Sequence, residues 1–282
     1  MCNAFSCLIT INNKVYWRAG VDSHTTLQET FVKEDPQLKD DKEPPKNTFA
    51  RVEITPKNKD YLKPDKWALS IDESVTPDWL KDEHEDICWK AFEKWKKQVY
   101  SGINLKECIK PIHPFKIKPP KKIEVKHLKI LLHWASVRDS VRDSVRASVG
   151  DSVRASVRAS VGDSVWDSVW ASVRASVGDS VWDSVGDSVR ASVWGSVWGS
   201  VGDSVGGSVW AYTGSQFPKI KKWKYVNFKH KGYPFKDAVK LWKMGLVASF
   251  DGTKWRLHGG PKAKVLWEGT VEDMKEQVKS SK

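Results

Sequence analysis

The sequence predicts an α+β protein with a tetrapeptide-repeat β-solenoid inserted between its two flanks. Three observations predict it. Residues 135–210 say one four-residue word, x-Ser-Val-x, nineteen times in succession. Both flanks mix short apolar runs bounded by turn residues with capped helical patterns. The composition, 282 residues at 40% hydrophobic, supports a packed core, while no run approaches the roughly 18 apolar residues of a membrane span.

The elements follow in chain order. Apolar-rich strands are predicted over 5–11 and 14–18, around the turn pair Asn12-Asn13. A helix over 23–31 is capped by Asp22 or Ser23. Strands follow over 49–55 and 67–71. Thr76-Pro77 supplies a cap followed by a first-turn proline, and predicts a helix to about Tyr100. This completes a mixed α/β domain, 1–109. Residues 110–134 hold a Pro/Lys linker (KPIHPFKIKPPKK) and a helix over 125–134 that would cap the solenoid.

In the repeat, Ser and Val never vary. The first position is Asp nine times, Ala seven and Gly three; the fourth is Arg seven times, Trp six and Gly six. A helix is the alternative reading. Its valines would drift about 40° per word, and one continuous rod would be about 114 Å long. Ser, Val, Asp and Gly are also middling or poor helix formers. In an extended chain, Val and the small first residue share one face, and Ser and the fourth residue share the other. A chain that bends at every word is a solenoid. Residues 151–166 and 167–182 differ at one position in sixteen, which favours coils of sixteen residues. Columns then form: Arg142, Arg158, Arg174 and Arg190 on one face, and Trp166, Trp182 and Trp198 on another.

The words of 135–210, such as Ala155-Ser156-Val157-Arg158, resemble the pentapeptide-repeat β-solenoid with the fifth residue missing. The MCNAF start, the tandem SV words and the FDGTKWRLHGG stretch together resemble phage-type proteins, a likeness that implies no activity. Pentapeptide-repeat proteins can mimic DNA with an acidic surface. This repeat, with seven Arg and nine Asp, is nearly neutral, which disfavours that role.

The C-terminal segment, 211–282, carries the positive charge. It has 16 Lys/Arg against 6 Asp/Glu, in a chain of net charge +12. Residues 219–236 (KIKKWKYVNFKHKGYPFK) interleave seven lysines with five aromatics and contain no acid. Lysines on phosphates and aromatics on bases are the chemistry of single-strand binding. The candidate nucleic-acid-binding residues are Lys219, Lys221, Lys222, Trp223, Lys224, Tyr225, Phe228 and Lys229. The competing reading is a strand with its aromatics on the core and its lysines in solvent. A helix over 237–244, a hairpin of 246–250 and 254–257 around Asp251-Gly252, and a strand over 264–267 complete this segment, which could pack on 1–109.

Catalytic signals are weak. Loss of Met1 would make Cys2 an N-terminal thiol with its own amine as base, as in N-terminal-cysteine hydrolases and amidotransferases, but Asn3 stands where those enzymes have Gly. His84 and Cys88 lie four apart, too few ligands for zinc. His258-Gly259-Gly260 has no GxSxG elbow beside it. No metal or cofactor is expected. Cys2, Cys7, Cys88 and Cys108 are widely spaced, and the N-terminus lacks a basic, long-apolar signal pattern, so a cytoplasmic setting is expected. The sequence points to a non-enzymatic binding or scaffold protein whose partner is nucleic acid or an acidic protein surface. The alternatives are an inhibitor that docks on a protein through the Trp/Arg solenoid face, and an N-terminal-cysteine enzyme.

Overall fold

A computed structural model describes residues 5–39, 46–156, 160–179, 181, 185 and 198–281. The chain divides into two compact units, residues 1–102 with 150–168, and residues 103–149 with 169–282.

The first unit is built on an antiparallel sheet of β1 (Phe5–Thr10), β2 (Val15–Tyr16), β3 (Phe49–Thr55) and β4 (Ala68–Ile71), in the order β2-β1-β3-β4. All six residues of β1 are buried. Successive side chains point to opposite faces, so both sides of this strand are covered. On one side Phe5 meets Phe92 and Trp95 of α2 (Asp82–Tyr100) at 5.6 and 5.7 Å between ring centroids. On the other, Leu8 clusters with Leu38, Phe49 and Leu27, the last from α1 (His24–Phe31). Ser23 caps α1 by accepting the Thr26 N–H at 3.3 Å. Helix α2 starts later than Thr76-Pro77 predicts. Leu80 N–H closes a turn on the Pro77 carbonyl, and Lys81 N–H then donates to His84 Nδ1 at 3.1 Å. Asp82, Glu83 and Glu85 fill the first turn, where the helix dipole favours negative charge.

The second unit holds α3 (Leu105–Ile109), α4 (Val125–Val137) and a three-stranded sheet of β5 (Leu246–Phe250), β6 (Trp255–Gly259) and β7 (Lys264–Gly269). The described repeat words are helical: α5 (Val141–Ser156), α6 (Ser160–Val173), a π-turn (Arg174–Gly178) and α7 (Trp198–Gly214). Two further helices follow, α8 (Lys236–Lys243) and α9 (Val271–Lys279). Helix α7 packs on α8 and β5, and α4 packs on α8 and α9. The core gathers Val173, Val177, Val181, Val185, Val205 and Val209 of the repeat around Tyr212, Trp242 and Val247. Tyr212 stacks on Trp242 at 5.1 Å, and both rings bond Ile112: Tyr212 Oη accepts its N–H at 2.8 Å, and Trp242 Nε1 donates to its carbonyl at 2.7 Å.

The expected β-solenoid is therefore overturned. Both sheets are small, open and antiparallel, and neither draws on the repeat. The burial pattern gives the reason. On a helix at about 100° per residue, the first position of each word falls about 160° from Val, while Ser and the fourth residue flank Val at about 100° on either side. Accordingly Val141, Val145, Val149, Val205 and Val209 are buried, Ser144, Ser148, Ser204 and Ser208 are buried beside them, and Asp143, Asp167, Asp179 and Asp203 are exposed. A solenoid would have turned Val and Asp to the same side. The helical alternative is met in segments: a 3-10 turn at Arg138–Ser140 separates α4 from α5. The π-turn works against the 40° drift, because an i→i+5 turn is wider than an α-turn. Val173, just before it, and Val177, within it, are both fully buried. Helix α4, expected to cap a solenoid, instead leads into this helical array. The sixteen-residue columns fall with the coil, because sixteen residues advance about 160° round a helix.

Candidate nucleic-acid interface

Residues 215–235 join α7 to α8 without a strand. Their backbone is fixed from beneath. Lys224 N–H donates to Ser148 Oγ at 2.7 Å, Ile220 N–H donates to the Phe217 carbonyl at 3.2 Å, and Tyr233 Oη donates to the Ala211 carbonyl at 2.6 Å. The repeat serine thus anchors the basic segment, which neither stretch shows alone.

The eight candidate residues part into two groups. Lys219, Lys221, Lys222, Lys224, Lys229 and Tyr225 are exposed. Trp223 is 9% exposed and meets Tyr233 edge-on at 4.9 Å, while Phe228 is half-buried against Phe235 and His230. The aromatics expected to stack on bases are thus mostly committed to packing, as in the competing reading, although no strand carries them. Tyr225 is the exception, 68% exposed with φ 56°. Among the described residues no carboxylate pairs with Lys219, Lys221, Lys222 or Lys229.

A recess of about 240 Å³ opens in this segment, lined by residues that include Phe217, Ile220, Lys221, Trp223, His230 and Tyr233. Trp223 Nε1 is shielded there with no acceptor among the described residues. Such an orphaned donor costs about 1–3 kcal/mol. Burial pushes the Tyr233 hydroxyl well above its ordinary range, so it remains a neutral donor to Ala211. Gly214 is required at the rim, because a Cβ there would meet Tyr233 Oη and lie 2.8 Å from Val145 Cγ2.

A second groove, of about 520 Å³, runs between repeat residues, with Arg138, Arg142, Asp139, Asp143 and Asp203 beside Trp170 and Trp210. The two indoles stack at 4.0 Å and 23°. Two cations face three carboxylates, so this groove does not favour an anion. Arg138 also lies over Phe250 at 4.7 Å and pairs with Asp139 at 3.1 Å. Of the expected columns, Arg142 is exposed on α5, Arg174 is exposed on the π-turn with Nε 3.4 Å from Asp179, and Trp166 is half-buried on α6. Trp198 begins α7. Arg158, Arg190 and Trp182 lie outside the described residues, as does Cys2.

Ser249 and His258 form a pair that sequence reasoning missed. Ser249 Oγ and His258 Nε2 are 2.7 Å apart, and His258 Nδ1 is 2.9 Å from the Ala263 carbonyl. Facing strands β5 and β6 bring them together, which no local motif announces. Burial lowers the imidazole to about 4, so it is neutral near pH 7, with Nδ1–H donated to Ala263 and Nε2 accepting from Ser249. Both residues are wholly buried, and among the described residues no carboxylate orients the ring. The pair is a satisfied core contact rather than a nucleophile and its base. His84 is likewise engaged, as the acceptor that starts α2, and Cys88 is a buried free thiol.

No protein-family model, curated protein or solved structure matches the chain. No helix among the described residues is long and apolar enough to cross a membrane.

Proposed function

We propose that the protein is a non-enzymatic binding protein that takes a polyanion, single-stranded nucleic acid first, on the segment between α7 and α8. The observation that carries this reading is the cluster of exposed lysines at 219, 221, 222, 224 and 229 around exposed Tyr225, beside a recess lined by Lys221 and His230. Lysines would meet phosphates, and Tyr225 would stack on one base. Base stacking on one aromatic contributes about 1–3 kcal/mol, so the lysines carry most of the affinity.

The test is a titration of the full chain with labelled single- and double-stranded oligonucleotides at several salt concentrations. Binding should weaken steeply with salt. Lys221→Glu with Lys222→Glu should lower affinity by at least about tenfold, and Tyr225→Ala by about five- to a hundredfold for the single strand alone. All three positions are exposed, so the variants should fold. Absence of binding at low salt would overturn the reading and leave an acidic protein surface as the partner to seek.

A further inference from the structure

In the first unit, three residues from separate elements converge. His24 opens α1, Glu53 lies on β3, and Asp72 follows the last residue of β4. Donor atoms of the three side chains lie within 4.8 Å of one another. Asp72 is held in place through its backbone, whose N–H donates to the Arg51 carbonyl at 2.9 Å. Arg51 itself reaches both oxygens of Glu73 at 3.2 Å.

The surroundings of His24 are unusual for a neutral ring. A neutral imidazole has one N–H and one lone pair. Here both nitrogens face oxygen acceptors: Nδ1 is 3.1 Å from Asp72 Oδ2, and Nε2 is 3.3 Å from the Val52 carbonyl. One contact is repulsive unless positive charge sits beside the ring. A metal ion held by the Nδ1 lone pair and Asp72 would supply that charge and leave the Nε2–H for the Val52 carbonyl. The Nε2–H bond to a backbone carbonyl is also the outer contact that fixes a metal-binding histidine in the correct tautomer.

We propose that His24 Nδ1, Glu53 and Asp72 form a divalent metal site, with Zn²⁺ the ion that best fits one imidazole and two carboxylates. Donors at about 2.1 Å from one ion are at most about 4.2 Å apart. The three donors, within 4.8 Å of one another, are close to that limit, and Asp72, whose side chain is 58% exposed, has room to adjust toward an ion. His24 is 7% exposed and supplies the rigid side of the site.

The test uses the full chain stripped with a chelator, with Zn²⁺ alone as the probe, read by competition against a chromophoric chelator and by thermal unfolding. Wild type should bind a Zn²⁺ that raises the melting temperature, and the rise should vanish on re-chelation. Asp72→Asn and Glu53→Gln should each weaken that site at least about tenfold, comparable to or beyond the loss of an outer-shell contact. Both keep side-chain size, so they test the site even if His24→Gln fails to fold. Zn²⁺ binding of equal strength in wild type and both variants, or none in wild type, would overturn the proposal.

Discussion

At the scale of single residues, His258 gives the clearest pH prediction. The unfolded chain takes up a proton on this ring near its ordinary 6.5, while the folded chain resists until about 4. Below pH 6.5 the unfolded state therefore binds more protons, and stability falls as pH drops toward 4, by about 3 kcal/mol from this residue. Above 6.5 the contribution is complete. Denaturant melts from pH 7 to 4 should show the loss, and His258→Asn should flatten that part of the profile. Ser249→Ala should cost about 1–3 kcal/mol, because it leaves Nε2 a buried acceptor without a donor. The lysine cluster shows which residues were legible. Lysines resist burial, so their exposure was readable from identity alone. The fate of Trp223, Phe228 and Tyr225 was not, because an aromatic serves a core and a base equally well.

At the scale of elements, local signals located most of the flanks. The Asn12-Asn13 turn, the Ser23 cap, the apolar stripe of α4 and the Asp251-Gly252 hairpin all lie within a few residues of the structure they set, and Asn13 takes φ 63°. The repeat resisted because its word satisfies two periods. Alternation makes it a strand, and a four-residue spacing makes it a slowly drifting helical row. Weak helix propensity argued for the strand, but only the helix buries valine while keeping the first-position Asp in solvent, and the cost of burying an unpaired carboxylate outweighs the tenths of a kcal/mol that propensity supplies. Close packing of these helices rests on small residues. Gly214→Ala should destabilise the protein by about 1–3 kcal/mol through overpacking against Val145 and Tyr233, measurable by denaturant melts. Gly206→Ala, where nothing lies within 4 Å, should be neutral or slightly stabilising.

At the scale of the whole molecule, the far-UV circular dichroism of the full chain should show the double minimum of a largely helical protein. A spectrum dominated by β-structure would return the repeat to an extended form. The charge distribution belongs to this scale too. The last quarter carries most of the +12, and the proposed interface lies within it, so oligonucleotide binding should respond to salt far more than folding stability does.

The sequence by itself determined the two α+β flanks, most of their hairpins and caps, and the basic segment, because each depends on neighbours a few residues away. Tertiary structure alone decided three things. It made the described repeat words helical, because Trp242 and Val247, from other elements, cover the valine row while the aspartates stay in solvent. It paired Ser249 with His258 across two strands. And it brought together His24, Glu53 and Asp72, separated by 29 and 19 residues along the chain, which share no spacing that local geometry could join.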